Sequence, residues 1–239
     1  MVVVPGNPLD PAAGTRWNRG VRIATTVHHA RLGRDVYRVI RPASPIARVM
    51  VRDNQDWWFA AADPVGAMRV AGLIEIAARS PRSLVHIPLR GDSAPVGWRW
   101  LKQAGLVDLL VVQPRLQFPA HRWSEVRRRL DSGRMQSFET AGRTREQVCD
   151  QSPGCWRRTP LAMPAITREH AGTLLITASP PALRAFADCF AHLAACGPGS
   201  VGRGAPYFRE KVHPVDGLFR REERGWFLVH CDSWSAGGG

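Results

Sequence analysis

Three residue types used in nucleophilic catalysis stand side by side in His230-Cys231-Asp232. Neighbouring side chains on a strand point to opposite faces, so His230 is badly placed to take the proton of Cys231. The trio reads as a strand end with one buried thiol. Cys189, His192 and Cys196 are better posed for a metal, because spacings of three and seven residues put them on one helix face. Cys189 and His192 could share an ion, but Cys189 and Cys196 stand roughly 10 Å apart along a helix axis, too far for one zinc ion or a disulfide. Cys189 and His192 are therefore the only metal-ligand candidates kept, and the bland reading is a helix flank of small residues with an exposed imidazole.

Cys149, Cys155 and His170 lack the close Cys-x-x-Cys pairing of structural zinc sites and read as thiols on a linker. His28-His29 and the lone His86 fall in strand-like segments and mark no site. No Gly-x-Gly-x-x-Gly, phosphate-binding loop, His-Glu-x-x-His or nucleophile elbow occurs, and Gly202-x-Gly204 has no helix behind it. No catalytic residue and no cofactor is assigned, and an enzyme would have to be built from scattered residues.

Residues 115–168 carry 11 Arg against 5 acidic groups, interleaved with Phe118, Trp123, Phe138 and Trp156. Arg forks onto phosphates and aromatic rings stack on bases, so Arg127, Arg128 and Arg129 are the candidate nucleic-acid contacts. The competing reading is a solvated helix face followed by a basic linker. Trp57-Trp58 offers a ligand surface, although alternation along a strand sends one ring to the core.

These residues must be held by elements that the apolar pattern outlines. Ile23 to Val27 and Val36 to Ile40, parted by Gly33-Arg34-Asp35, read as a hairpin, and a second runs from Ala47 through Asp53-Asn54-Gln55-Asp56 to Trp57-Trp58-Phe59. Asp63 and Pro64 start a helix, with Val70, Leu73, Ile74 and Ala77 at helical spacing. Ser83 to Leu89 and Leu106 to Val112 read as strands, the second as an apolar run and so central. Arg122 to Leu130 reads as a short helix with Trp123, Val126 and Leu130 inward and Arg127 to Arg129 largely outward. Periodicity then fails until His170. Thr173 to Thr177 is a strand, Ser179-Pro180-Pro181 opens a helix with a Leu183, Phe186, Phe190 and Leu193 stripe, and Leu218–Arg220 with Trp226–Cys231 reads as a closing hairpin.

The chain has 239 residues, 44% hydrophobic and 8% aromatic, which places it with globular proteins. Its apolar runs are shorter than the roughly 20 residues needed to span a bilayer, so no membrane partner is expected. Met1-Val-Val-Val-Pro lacks the basic and apolar regions of a signal peptide, and five cysteines form no dense framework, so a cytoplasmic protein is expected. The formal charge of +13 suggests nucleic acid, but only Lys102 and Lys211 among 33 basic residues are lysine, a bias that GC-rich coding also produces. Residues 1–170 hold 26 basic and 14 acidic groups, whereas residues 171–239 hold 7 and 6.

The segment Thr173-Leu-Leu-Ile-Thr-Ala-Ser-Pro-Pro-Ala-Leu-Arg-Ala-Phe-Ala-Asp, with Leu193-Ala-Ala-Cys-Gly-Pro-Gly-Ser after it, resembles one of the small immunity-protein families of bacterial polymorphic toxin systems. The likeness covers residues 172–232 and is interrupted by a Gly- and Arg-rich insertion at Val201 to Lys211. It implies a protein that neutralises a cognate toxin by binding it, without chemistry of its own.

The resulting expectation is an α+β protein with two small mixed or antiparallel sheets, each packed against one main helix. Residues 1–20 are a mobile lead-in, 21–131 a basic α+β domain, 132–170 a linker, 171–234 a small α+β unit and 235–239 a tail. The expected function is that of a non-catalytic interaction protein. Its partner is another protein, of toxin type if the resemblance holds, with nucleic-acid binding as the alternative. Trp57, Trp58, Arg209 and Trp226 are the candidate anchors for a protein partner.

Overall fold

A computed structural model describes residues 22–90, 105–140, 163–196, 209–212 and 217–231. Two hairpins open it. Strands β1 (Arg22–Leu32) and β2 (Asp35–Pro42) turn at Gly33, whose φ of 63° suits a residue without Cβ. Strands β3 (Val49–Asn54) and β4 (Trp57–Ala62) turn through Gln55, whose amide donates to Asp53 Oδ1. Helix α1 (Pro64–Arg79) then starts where its cap is written: Asp63 Oδ1 accepts from the Gly66 amide at 2.7 Å, and Pro64 gives up no helical hydrogen bond. Strands β5 (Ser83–Ile87) and β6 (Asp108–Val112) follow, then α2 (Trp123–Arg128) and β7 (Arg134–Glu139). After residue 163 come β8 (Ile166–His170), β9 (Thr173–Thr177), α3 (Pro180–Cys196), β10 (Arg209–Val212) and β11 (Gly225–His230).

The strands form a seven-stranded sheet, β7-β1-β2-β5-β6-β9-β8, and a four-stranded sheet, β10-β11-β4-β3. Both are mixed, with β2 and β5, β6 and β9, and β4 and β11 parallel. The class is therefore α+β, but the larger sheet is not small. It also draws strands from both sides of the expected linker, and β7 and β8 lie within that linker's bounds. One hydrophobic cluster joins the inward faces of the two sheets to α1 and α3. Each helix buries most of its residues, as a helix packed between two apolar sheets must, and keeps a narrow accessible stripe. The pairing of one helix with one sheet is thus replaced by two helices shared between both sheets.

Residues Val49–Val112 and Ile166–His230 trace the same order: an antiparallel pair, a helix, an antiparallel pair. The first unit starts in the four-stranded sheet and ends in the seven-stranded one, and the second does the reverse. The parallel contacts β4 to β11 and β6 to β9 lie where the two units meet. No fixed period in the sequence announces this exchange.

The closing hairpin is also corrected. The antiparallel partner of β11 is β10, while Phe219 makes a bridge to Ala165 beside β8. The outer face of the larger sheet is covered by α2 and the turns before it, through Phe118, Trp123 and Val126. Among the described residues no helix is long and apolar enough to cross a membrane. The expected lead-in before residue 21 and the tail after residue 234 lie outside the described residues.

Candidate functional site

Asp108 is the first residue of β6 and interrupts what would otherwise be an apolar strand. Alternation points it with Leu110 toward the α2 side of the sheet, the side that His86 of β5 also faces through its pairing with Leu110. Asp108 and His86 are almost wholly buried there, with Nε2 and Oδ2 3.5 Å apart, beyond a short hydrogen bond. Asp108 is nonetheless well held. Its Oδ1 accepts from the Leu89 amide at 2.9 Å and the Arg90 amide at 3.1 Å, and Oδ2 accepts from Arg90 Nε at 3.1 Å. Arg90 Nη2 approaches the same oxygen at 3.0 Å. One carboxylate thus pins the chain leaving β5.

His86 is less well provided. Its ring meets Trp123 edge-on, with centroids 4.8 Å apart, and Trp123 is fixed by donating from Nε1 to Thr173 Oγ1 at 3.1 Å. Among the described residues neither His86 ring nitrogen has a hydrogen-bond partner. An unpaired buried polar group costs roughly 1–3 kcal/mol, so it calls for an explanation.

Around this pair, at the carboxyl ends of β2 and β5, opens a cleft of about 750 Å³. Its polar lining is Arg41, His86, Arg90, Asp108 and Arg127; its apolar lining is Pro45, Ile46, Val49, Pro88 and Leu89. Arg41 and Arg127 are under-used: Arg127 Nη1 reaches Asp108 only at 3.9 Å, and no described partner binds the Arg41 side chain. Arg90 is committed to Asp108 and lies against the β8–β9 turn, where a Cβ on Gly172 would stand 2.7 Å from its Nη1.

Burial pushes the His86 imidazole below its ordinary pKa; Asp108 pulls it back up, but Arg41 and Arg127 act in the same direction as burial. The ring is neutral at pH 7. Burial would raise the Asp108 carboxyl, but the His86 ring, the Leu89 amide and Arg90 outweigh it and hold the group well below the usual carboxylate range. With three guanidinium groups, one carboxylate and a neutral imidazole, the described lining residues carry a net charge of +2. Such a site attracts anions.

The residues singled out in the sequence fall elsewhere, with one exception. Arg127 turns toward Asp108 and enters the cleft. Arg128 is exposed, and Arg129 pairs with Glu125 at 2.9 Å, so the three do not act as one row. Trp58 and Trp226 are core residues, 1% and 0% exposed, packed with Phe186 and Phe219. Neither can anchor a partner. Arg224 lies over the Trp58 ring at 3.9 Å. Trp57, on the neighbouring strand to Gly225, is half-buried against it. The Arg209 side chain lies outside the described residues.

Cys189 is buried and donates to the Ala185 carbonyl; His192 is buried rather than exposed, because α3 is enclosed by both sheets. Among the described residues no three His, Cys, Asp or Glu side chains gather as metal ligands do. The Cys196 side chain, Cys149 and Cys155 lie outside the described residues. His230 faces α3, with Nδ1 3.3 Å from the Leu193 carbonyl, and Cys231 packs on the other face with Met50 and Phe59, as strand alternation requires.

Sequence reasoning missed Asp108, Arg41 and Arg90, and set His86 aside as marking no site, whereas it lines the cleft. The available signal was Asp108 itself, a carboxylate inside a strand otherwise apolar enough to be central. No family model matches the chain, and comparison with curated proteins and with solved structures gives no significant match.

Proposed function

We propose that this chain is a non-catalytic binding protein whose recognition element is the cleft at Arg41, Arg90 and Arg127, and that it takes a negatively charged group. The observation that carries the reading is the imbalance of the cleft: Asp108 is already occupied by Arg90 and two backbone amides, which leaves Arg41 and Arg127 without a strong internal partner. Arg guanidinium forks are suited to bind phosphate or carboxylate with two parallel hydrogen bonds. Among the described lining residues no nucleophile adjoins His86, which favours binding over catalysis.

The Arg-rich middle was the basis for expecting nucleic acid. Arg127 in the cleft and Arg129 paired to Glu125 favour recognition of one anionic group at a defined place over a row of phosphate contacts. The immunity-type reading keeps a toxin-like protein as the source of that group. Helix α3 buries most of its surface against the shared core, so the cleft, and not the helix that carries the resemblance, is the surface proposed for such a partner.

The test is thermal unfolding in sodium phosphate against sodium chloride at matched ionic strength. Phosphate at a hundred times its dissociation constant stabilises a native state by about 2.7 kcal/mol, or roughly 5–10 °C in a chain of this size. That rise is expected to saturate, and to vanish in the double variant Arg41→Gln, Arg127→Gln. An equal response of the two proteins would refute the assignment.

A further inference from the structure

Resting on the anion-binding reading, we propose that the cleft takes a phosphate monoester of an apolar alcohol, with the phosphate against Arg41, Arg127 and His86 and the organic group against the aliphatic wall. Three observations set the class. The first is charge. A phosphate monoester carries about −1.5 to −2 at pH 7, which matches the +2 of the cleft, whereas a carboxylate or a sulfate ester supplies only one negative charge. The second is the buried imidazole: Nε2 lies 3.5 Å from Asp108 Oδ2, and Nδ1 has no partner among the described residues. A neutral His86 has one N–H to offer, and a phosphate has three terminal oxygens with which to meet it while both free guanidinium groups remain engaged. His86 Nδ1 is therefore a ring nitrogen held ready beside the two arginines, and a phosphate oxygen relieves the cost of its burial as acceptor or donor, since a monoester keeps part of one proton at pH 7.

The third observation is the wall. About 750 Å³ is the size of a site for a whole small organic molecule, far more than a bare oxyanion fills. The rest of that space is lined by Pro45, Ile46, Val49, Pro88 and Leu89. Among the described residues no Ser, Thr, Asn, Gln, Tyr or Trp lines it, so a sugar or a nucleobase would find no neutral polar side chain there for its hydroxyl and amide groups. An alkyl or aryl group has nothing to leave unpaired and gains from the contact.

Isothermal titration of the full chain tests this with inorganic phosphate, phenyl phosphate and glucose 6-phosphate. Phenyl phosphate is expected to bind about tenfold more tightly than inorganic phosphate, or about 1.4 kcal/mol, and glucose 6-phosphate no more tightly than inorganic phosphate. The paired substitution Pro45→Ser, Pro88→Ser alters the solvent-facing part of the wall and leaves the core alone. It is expected to remove the phenyl advantage while inorganic phosphate binds as before. Inorganic phosphate binding with no phenyl advantage, or with an equal gain for glucose 6-phosphate, overturns the ligand class and leaves the anion site standing. A phenyl advantage that survives both proline substitutions overturns the seating. Failure of all three ligands to bind overturns the anion site and this proposal together.

Discussion

Replacing Asp108 by Asn tests the centre of the site and gives a signature in pH as well as in size. The amide keeps an oxygen for the Leu89 and Arg90 backbone donors, so the bonds at 2.9 and 3.1 Å can persist. What is lost is the charged oxygen facing Arg90 Nε and Nη2 at 3.1 and 3.0 Å. A charge-assisted hydrogen bond is worth about 1.5–3 kcal/mol, but the Arg90 side chain is 40% exposed and water screens it. The expected destabilisation at pH 7 is therefore about 1–2 kcal/mol. Asp108→Ala removes every acceptor, strands the buried Leu89 amide, and is expected to cost about 3 kcal/mol. The carboxyl is depressed in the folded protein, so its contribution is present above the unfolded value of about 4 and is lost as pH falls toward the folded value. Below pH 4 the unfolded chain takes up a proton that the folded one refuses, and wild type loses about 1 kcal/mol of this contribution by pH 3. Urea unfolding at pH 7 and pH 3 reads both effects. The gap between wild type and Asp108→Asn is expected to shrink on acidification. A gap of equal size at both pH values, or none at pH 7, would refute the account of Asp108 as a buried, ionised anchor.

Other substitutions follow from single contacts. Gly172→Ala places a side chain at a φ of 68° and 2.7 Å from Arg90 Nη1, and should cost about 1–2 kcal/mol, read as a fall in melting temperature of a few degrees. Gln113 Nε2 donates to the Ala77 and Ala78 carbonyls at 2.8 and 2.9 Å and so closes the last turn of α1. Gln113→Ala should cost about 1–3 kcal/mol in urea unfolding, and Gln113→Glu more, because a carboxylate cannot donate and is repelled by the helix carboxyl end. Trp123→Phe keeps the contact with His86 but loses the bond to Thr173, and a loss of about 1 kcal/mol is expected in calorimetry. Arg41→Gln removes a cation with no described internal partner from a cleft of net charge +2. Its melting temperature should be unchanged or higher in phosphate-free buffer, while phosphate affinity falls.

Much of the local structure was legible in the chain. Asp63-Pro64 fixes the start of α1 because a carboxylate can accept the orphan amides of a first helical turn and proline sacrifices nothing there. Gly33 and the Asp53–Asp56 turn set the first two hairpins, and the apolar spacing of Thr173 to Leu193 predicts both β9 and α3. These signals are local, carried by residues within a few positions of one another. The same locality misled at the arginines. Helical spacing sends Arg127 outward with Arg128 and Arg129, whereas a buried carboxylate nineteen positions earlier draws its guanidinium inward.

The chain's local pattern located β1 to β6, β9, β11 and the three helices, but not β7, β8 or β10; it also showed that a substantial core exists and that alternation separates His230 from Cys231. It could not determine which sheet each strand joins, since hydrogen bonds between parallel strands link segments far apart: β6 with β9, and β4 with β11. Nor could it assemble the cleft. Arg41 comes from β2, His86 from β5, Arg90 from the chain leaving β5, Asp108 from β6 and Arg127 from α2, and no spacing rule relates them. Their convergence exists only because the seven-stranded sheet sets β2, β5 and β6 side by side and α2 folds back across their common face. The charge of each residue is written in the sequence, but the field they make together is a property of the tertiary fold.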